Sequence, residues 1–307
     1  MQFDPRRARS TGGALLVLAA AVLWGTTGTS QAMAPTGANP AAIGALRLAV
    51  GGLALLAIAL LRGGLGKGRW SLPATACAAG FTAAYQACFF AAVARTGVAV
   101  GTMVAIGSSP VIAGVLAYFI RGERPGLRWL VATLLAVLGC CLLVLSGGTL
   151  SAEPLGIFLA IGAGASYAIY TIAIKELLAE HSPDAVMAVV FCLGALILAP
   201  LLLSAELRWI ATPRGIAVVL HLGLIATALS YLLFARGLQV VPVATAVTLS
   251  LAEPLTAGIL GVLLLGEHLT PMAFTGIGFL FSGLVYLGSA RPGERKNAVA
   301  AVTERQR

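Results

Sequence analysis

Glu253 is the one carboxylate set deep inside an apolar run, in the stretch SLAEPLTAGILGVLLLGEHLTP from Ser250 to Pro271. If that run is helical, Glu253 lies about eleven residues in, roughly 16 Å from one membrane face at the 1.5 Å helical rise. A carboxylate near a bilayer midplane is costly and marks function by default. Three roles are open to it: a protonatable coupling site, a contact for a substrate ammonium, or the partner of a structural cation. Arg47 is the candidate cation, about 10 Å in from the opposite face by the same rise. Pro254 follows Glu253, and because proline has no N–H the carbonyl of Ser250 is expected to lack its helical partner.

Around these charges the chain supplies aromatic faces and neutral hydrogen-bonding groups. Trp24, Thr27 and Gln31 fall on one helical face at spacings of three and four. Tyr167, Tyr170 and Thr171 form a second set, Tyr85, Gln86 and Phe89 a third, and Ser230 with Tyr231 a fourth. Together they would make a wall suited to a small amphipathic metabolite. Taken singly, each aromatic is as well explained by gap filling, and each hydroxyl by a bond to the preceding turn of its own helix. Gln86 says most, because a buried amide without a partner is expensive in hydrocarbon and so should face a cavity or another helix. His221 is read as a hydrogen-bonded packing residue and Lys175 as a chain end that reaches the interface. The three histidines and five cysteines show no metal-ligand spacing. No Gly-x-x-x-x-Gly-Lys loop is present to cradle phosphates, so ATP is not the direct energy source. No metal and no cofactor are expected, and a membrane-embedded enzyme is the remote reading.

The elements that would position these residues follow from composition. Hydrophobic residues make up 59% of the chain and charged residues 10%, against about 25% charged in a soluble domain. A bilayer core of about 30 Å takes about 20 apolar residues per helix. Ten such segments can be counted: Gly12 to Ala32, Ala41 to Leu61, Leu72 to Ala94, Val98 to Ile120, Trp129 to Leu145, Leu155 to Ile174, Ala185 to Leu203, Gly215 to Ala235, Val243 to Leu265 and Pro271 to Leu287. The expected class is an all-α polytopic membrane protein. With the N-terminus inside, the outer loops hold Arg95, Arg208 and Arg214, Arg47 lies within the second segment, and the remaining sixteen of the twenty Lys and Arg fall inside. Both termini are therefore placed in the cytoplasm. The net charge of +9 reflects this asymmetry and suits anionic lipid rather than nucleic acid.

The pattern repeats. SPVIAGVLAYFIRGE from Ser109 sets Pro110 and Gly122-Glu123 144 residues before Pro254 and Gly266-Glu267, and Gly139 and Gly283 keep that offset. Ser109 stands where the second copy has Glu253. Trp24 corresponds to Tyr167, 143 residues on, which argues against removal of the first segment as a signal peptide. Five segments per copy is an odd number, so the second copy should enter from the opposite side, an inverted repeat of the kind found in secondary transporters. The expected division is an N-terminal segment 1–11, a first repeat 12–146, an extracytoplasmic linker 147–154, a second repeat 155–287 and a basic tail 288–307. Pro110 and Pro254, at matching mid-helix positions, are the candidate hinges.

These residues resemble the drug/metabolite transporter superfamily, and within it the ten-helix EamA-type exporters. The resemblance runs from about Gly13 to Leu287 and rests on EPLTAGILGVLLLGEHLTP, on Asn39-Pro40 followed by Arg47, and on Trp24-Gly25. The chain is most similar to bacterial amino-acid exporters, the aromatic amino-acid branch among them. The resemblance implies two five-helix repeats around a central cavity bordered by segments 1, 3, 4, 6, 8 and 9. It further implies alternating-access export of amino acids or related metabolites across the inner membrane by a monomer. On that basis the expected substrate-binding residues are Trp24, Thr27, Gln31, Tyr85, Gln86, Phe89, Ser109, Tyr167, Tyr170 and Tyr231, with Glu253 and Arg47 as coupling or structural charges. A multidrug or quaternary-cation exporter is the alternative, using the faces of Trp24 and the tyrosines. The small multidrug members carry an essential Glu in their first helix; the first segment here has no acidic residue, so their proton-coupling scheme does not transfer.

Overall fold

In hydrocarbon a backbone must satisfy its own N–H and C=O groups, which leaves helices or closed barrels. The computed structural model describes residues 5–65, 68–145, 153–203, 205–265 and 270–288, and these are helices and short connections with no strand among them. The elements are α1 (Pro5–Ala32), α2 (Pro40–Leu61), α3 (Leu72–Arg121), α4 (Leu127–Leu145), α5 (Pro154–Leu177), α6 (Pro183–Leu203), α7 (Pro213–Leu220), α8 (Ser230–Leu238), α9 (Val243–Leu249), α10 (Ala252–Leu265) and α11 (Pro271–Gly288). A short 3₁₀ turn, Arg208–Ala211, precedes α7, and a π-type stretch, His221–Leu229, joins α7 to α8. Seven stretches are long and apolar enough to cross a bilayer, and two shorter apolar helices, Leu127–Leu142 and Pro271–Leu287, accompany them. The described residues thus form a polytopic helical membrane protein. The Gly266-Glu267 corner, the linker residues 147–152 and the basic tail from 289 lie outside the described residues.

Local chemistry sets the helix ends. Proline occupies the first turn of α2, α3, α5 and α7, where its missing N–H costs nothing. Asn39 accepts from Ala41 N at 2.8 Å, and Thr212 accepts from Gly215 N at 3.0 Å, each satisfying an otherwise orphaned donor. Gly122 closes α3 with φ 64°, a left-handed conformation that favours glycine.

Three expectations are corrected. First, the segments Leu72 to Ala94 and Val98 to Ile120 fall in a single stretch of helical residues, α3, 50 residues long, with no connecting loop assigned between them. A straight rod of that length would measure about 75 Å, yet its contacts with α5 show that it doubles back. Gly156 sits against Ala92, Arg95 and Thr96, and the rings of Tyr167 and Tyr85 are 6.1 Å apart, so the first arm runs down as α5 runs up. Gly164 then meets Ala105, Ser108 and Ser109, so the second arm has reversed between Thr96 and Ala105. The corresponding turn in the second half contains Pro242 and leaves the helix. Second, Gly215 to Ala235 is not one regular helix. Its middle widens into the π-type winding, where Gly223 packs on Val50. Third, the carbonyl of Ser250 is not left open. The N–H of Glu253 reaches it at 2.9 Å in a tightened turn, which divides the expected single helix into α9 and α10.

The main packing joins α3 to α5, α4 to α11, α2 to α6, and α1 to α8 and α10. Several of these contacts come in exchanged pairs. A Cβ on Gly139 would fall 2.6 Å from the carbonyl oxygen of Gly276 and 2.8 Å from Cβ of Leu280; one on Gly283 would fall 2.7 Å from the carbonyl oxygen of Ala132 and 3.1 Å from the nitrogen of Ala136. Each set maps onto the other by the 144-residue offset. With offsets of 143 residues on one side and 145 on the other, Gly13 packs on Gly237, Val240 and Val241 while Gly156 packs on Ala92, Arg95 and Thr96, and Gly51 packs on Thr227 while Gly194 packs on Thr82.

Candidate functional site: an aromatic cavity flanked by two charges

A partly open cavity, about 270 Å³ with its open part included, lies where α2, α3, α5, α6 and α8 converge, lined by Leu48, Thr82, Tyr85, Gln86, Tyr167, Tyr170, Phe191 and Tyr231. Five of the residues singled out in the sequence, Tyr85, Gln86, Tyr167, Tyr170 and Tyr231, meet here. Gln86 is buried, and among the described residues no hydrogen bond takes up its amide. Trp24 stands behind the wall, its ring 4.8 Å from Tyr231, 5.2 Å from Phe234 and 6.3 Å from Tyr167. Its indole N–H is buried without a partner among the described residues. Phe89 stacks on Tyr85 at 5.7 Å. Thr27 and Gln31 are half-buried on α1 and are not among the lining residues. Ser109 is buried, and its hydroxyl donates to the carbonyl of Ile106 at 2.8 Å.

Leu48, Thr82 and Phe191 were not singled out in the sequence. Thr82 had a signal, since it lies four residues before Gln86 on the same face. Leu48 and Phe191 correspond across the repeat, as do Gln86 and Tyr231; that correspondence could have found them, whereas residue type could not.

Neither charge is a lining residue, but each sits beside an element that carries the lining. Arg47 is buried on α2, and its Nε donates to Thr227 Oγ1 at 3.2 Å. Thr227 is carried by the π-type stretch, a winding often found at functional positions. The same stretch begins with His221, whose Nε2 lies 2.9 Å from Thr26 Oγ1. Glu253 is half-buried at the start of α10, where the absence of a side chain on Gly25 lets α1 close onto the Glu253 backbone. Tyr167 ties this region to α5, its hydroxyl 2.9 Å from Ser250 Oγ. Among the described residues Arg47 and Glu253 form no ion pair within 4 Å.

Away from the cavity, polar contacts join the ends of helices from both halves. Glu123, just past α3, accepts from the N–H of Val243 at 3.2 Å, and Arg121 lies 3.6 Å from the same carboxylate. Lys175, at the end of α5, donates to the carbonyl of Val241 rather than only reaching for water. Asp184 pairs with Arg62 at 2.8 Å and Arg236 at 3.2 Å. All of these residues belong to the ends placed inside by the charge count.

Comparison with known proteins adds to this geometry. The EamA-like transporter family matches residues 11–145 and again 154–289. The chain is 47% identical over 287 residues to the uncharacterized transporter YwfM of Bacillus subtilis (strain 168), covering 94% of this chain and 97% of that protein. It is 28% identical to the uncharacterized inner membrane transporter YicL of Salmonella typhimurium over 90% of this chain and 94% of the relative. The threonine/homoserine exporter RhtA of Escherichia coli (strain K12) is 37% identical over 153 residues, 48% of this chain and 50% of RhtA. A protein of known crystal structure shares the fold with a TM-score of 0.78 at 21% identity, covering 89% of this chain and 95% of that one.

Proposed function

We propose that this chain, which belongs to the EamA-like transporter family, exports amino acids or related small metabolites from the cytoplasm by alternating access. It is a transporter and not an enzyme, a multi-pass protein of the bacterial inner membrane. The observation that carries the proposal is the cavity itself. Its wall takes Leu48, Thr82, Tyr85 and Gln86 from the first half and Tyr167, Tyr170, Phe191 and Tyr231 from the second. A site at the junction of two halves opens to either side when the halves rock. The likeness to RhtA over half the chain supports an amino-acid cargo.

In this reading ten transmembrane helices form two inverted repeats, 12–146 and 155–287, joined by 147–154 and flanked by cytoplasmic ends 1–11 and 288–307. The support is the exchange at α4 and α11: numbering rises along α4 as it falls along α11, so the helices are antiparallel. A two-fold axis that swaps antiparallel helices lies across them, as expected if the contact is isologous. In an assembly of membrane-crossing helices that axis lies in the membrane plane. Pro110 and Pro254 serve as hinges, and one chain supplies both sides of the site, so a monomer suffices.

The test is uptake of radiolabelled amino acids and of quaternary ammonium ions into liposomes holding the purified protein, with and without a pH gradient. Saturable amino-acid uptake is expected. The second reading, a multidrug or quaternary-cation exporter, is favoured by the cluster of Trp24, Tyr167, Phe191 and Tyr231 rings, which could hold a cation on their faces. Transport of ammonium ions without any amino acid would establish it.

A further inference from the structure

The two charges beside the cavity are each incomplete. Arg47 uses its Nε on Thr227, which fixes the plane of the guanidinium, and among the described residues its two terminal amino groups have no hydrogen-bond partner. Glu253 has none for its carboxylate among those residues. The pair does not close on itself within 4 Å, although an opposite charge in direct contact is the usual remedy for a buried ion. Among the described residues Gln86 adds an unbonded amide and Trp24 an unpartnered indole N–H in the same neighbourhood. Unmet donors on one side and an unmet acceptor on the other describe a ligand with the reverse arrangement.

The charges also break the internal symmetry of the chain. Val190 corresponds to Arg47 and Ser109 to Glu253. Helix packing between the halves therefore does not call for either charge, since the matching contacts form without them, as between Gly51 and Thr227 and between Gly194 and Thr82.

We propose that Arg47 and Glu253 are the two poles of a zwitterion site, Arg47 taking the carboxylate and Glu253 the ammonium of an α-amino acid laid across the tyrosine wall. This rests on the amino-acid reading above and adds the two groups that select the charge pattern. A guanidinium fork matches a carboxylate bidentately. The tyrosine rings and Leu48 would cover the side chain of the substrate without dictating it.

The experiment is titration calorimetry on the purified full-length protein with threonine and phenylalanine, their methyl esters, which lack the carboxylate charge, their N-acetyl derivatives, which lack the ammonium, and choline. The parents are expected to bind about 10- to 100-fold more tightly than either derivative, the range for a hydrogen bond to a charged group. In Arg47→Gln the parent should fall to the affinity of its ester, which itself stays unchanged. In Glu253→Gln the parent should fall to the affinity of its N-acetyl form. Arg47→Lys should keep part of the preference for parent over ester. Because each comparison is a ratio within one variant, partial misfolding, monitored by size exclusion and thermal midpoint, does not imitate it. Equal weakening of parent and ester in Arg47→Gln overturns the zwitterion site while leaving amino-acid transport standing. Binding of choline with no binding of any amino acid overturns both.

Discussion

Positions 109 and 253 meet the same backbone problem in different ways. Pro110 cannot donate to Ile106, and the Ser109 hydroxyl fills that acceptor at 2.8 Å. Pro254 cannot donate to Ser250, and there the Glu253 N–H does so at 2.9 Å, leaving its side chain with no structural task. Ser109→Ala is therefore expected to cost about 0.5–1.5 kcal/mol, seen as a lower thermal midpoint in detergent; a change in substrate KM at unchanged midpoint would instead place the hydroxyl in the cavity. Thr227→Val should free the Arg47 side chain and raise transport KM by roughly tenfold in a folded protein, and an unaltered KM would detach Arg47 from the site. Much of this was legible beforehand, because a carboxylate, a guanidinium and an amide inside apolar runs are anomalies that only a cavity or a partner explains. Leu48 and Phe191 were not, since leucines and phenylalanines line lipid and core alike, and Ser109 reads as polar whichever way its hydroxyl turns.

At the scale of helices, the clearest expectation concerns the crossing of α4 and α11. Gly139→Ala and Gly283→Ala should each destabilise the protein by about 1–3 kcal/mol, because the added methyl meets backbone that belongs to the opposite helix. The two losses should be alike, and clearly unequal thermal midpoints would count against equivalent contacts. This crossing could be foreseen from the shared offset of the two glycines. The assignment of α3 as one element could not: the apolar pattern reads as two segments, Leu72 to Ala94 and Val98 to Ile120, and these are the two antiparallel arms that pack on α5. Nor could the wide winding after Leu220, which has no residue signature of its own and accompanies the close fit of Gly223 on Val50.

At the scale of the molecule, Glu123 and the Arg62–Asp184 pair tie the two halves together at one end, and Lys175 ties α5 to the turn before α9 within the second half. Rocking of α3 and α8–α10 against the remaining helices would have to break the last of these. In a cysteine-free background, Lys175→Cys with Val241→Cys is expected to cross-link readily and block uptake until reduced. Ala32→Cys with Thr96→Cys, the corresponding pair in the other half, should cross-link in the opposite state. If both pairs form equally with and without substrate, rigid-body rocking is refuted. Topology has its own test: phosphatase fusions at either terminus should be inactive and fluorescent-protein fusions bright, as cytoplasmic ends require. The matched helix contacts carry unmatched charges, Arg47 against Val190 and Glu253 against Ser109. Two identical subunits around such an axis could hold these groups only in pairs, like facing like across the cavity. With both copies on a single polypeptide, the site keeps one of each, so any ion carried by Glu253 moves once per cycle, an odd stoichiometry closed to a homodimer of single repeats.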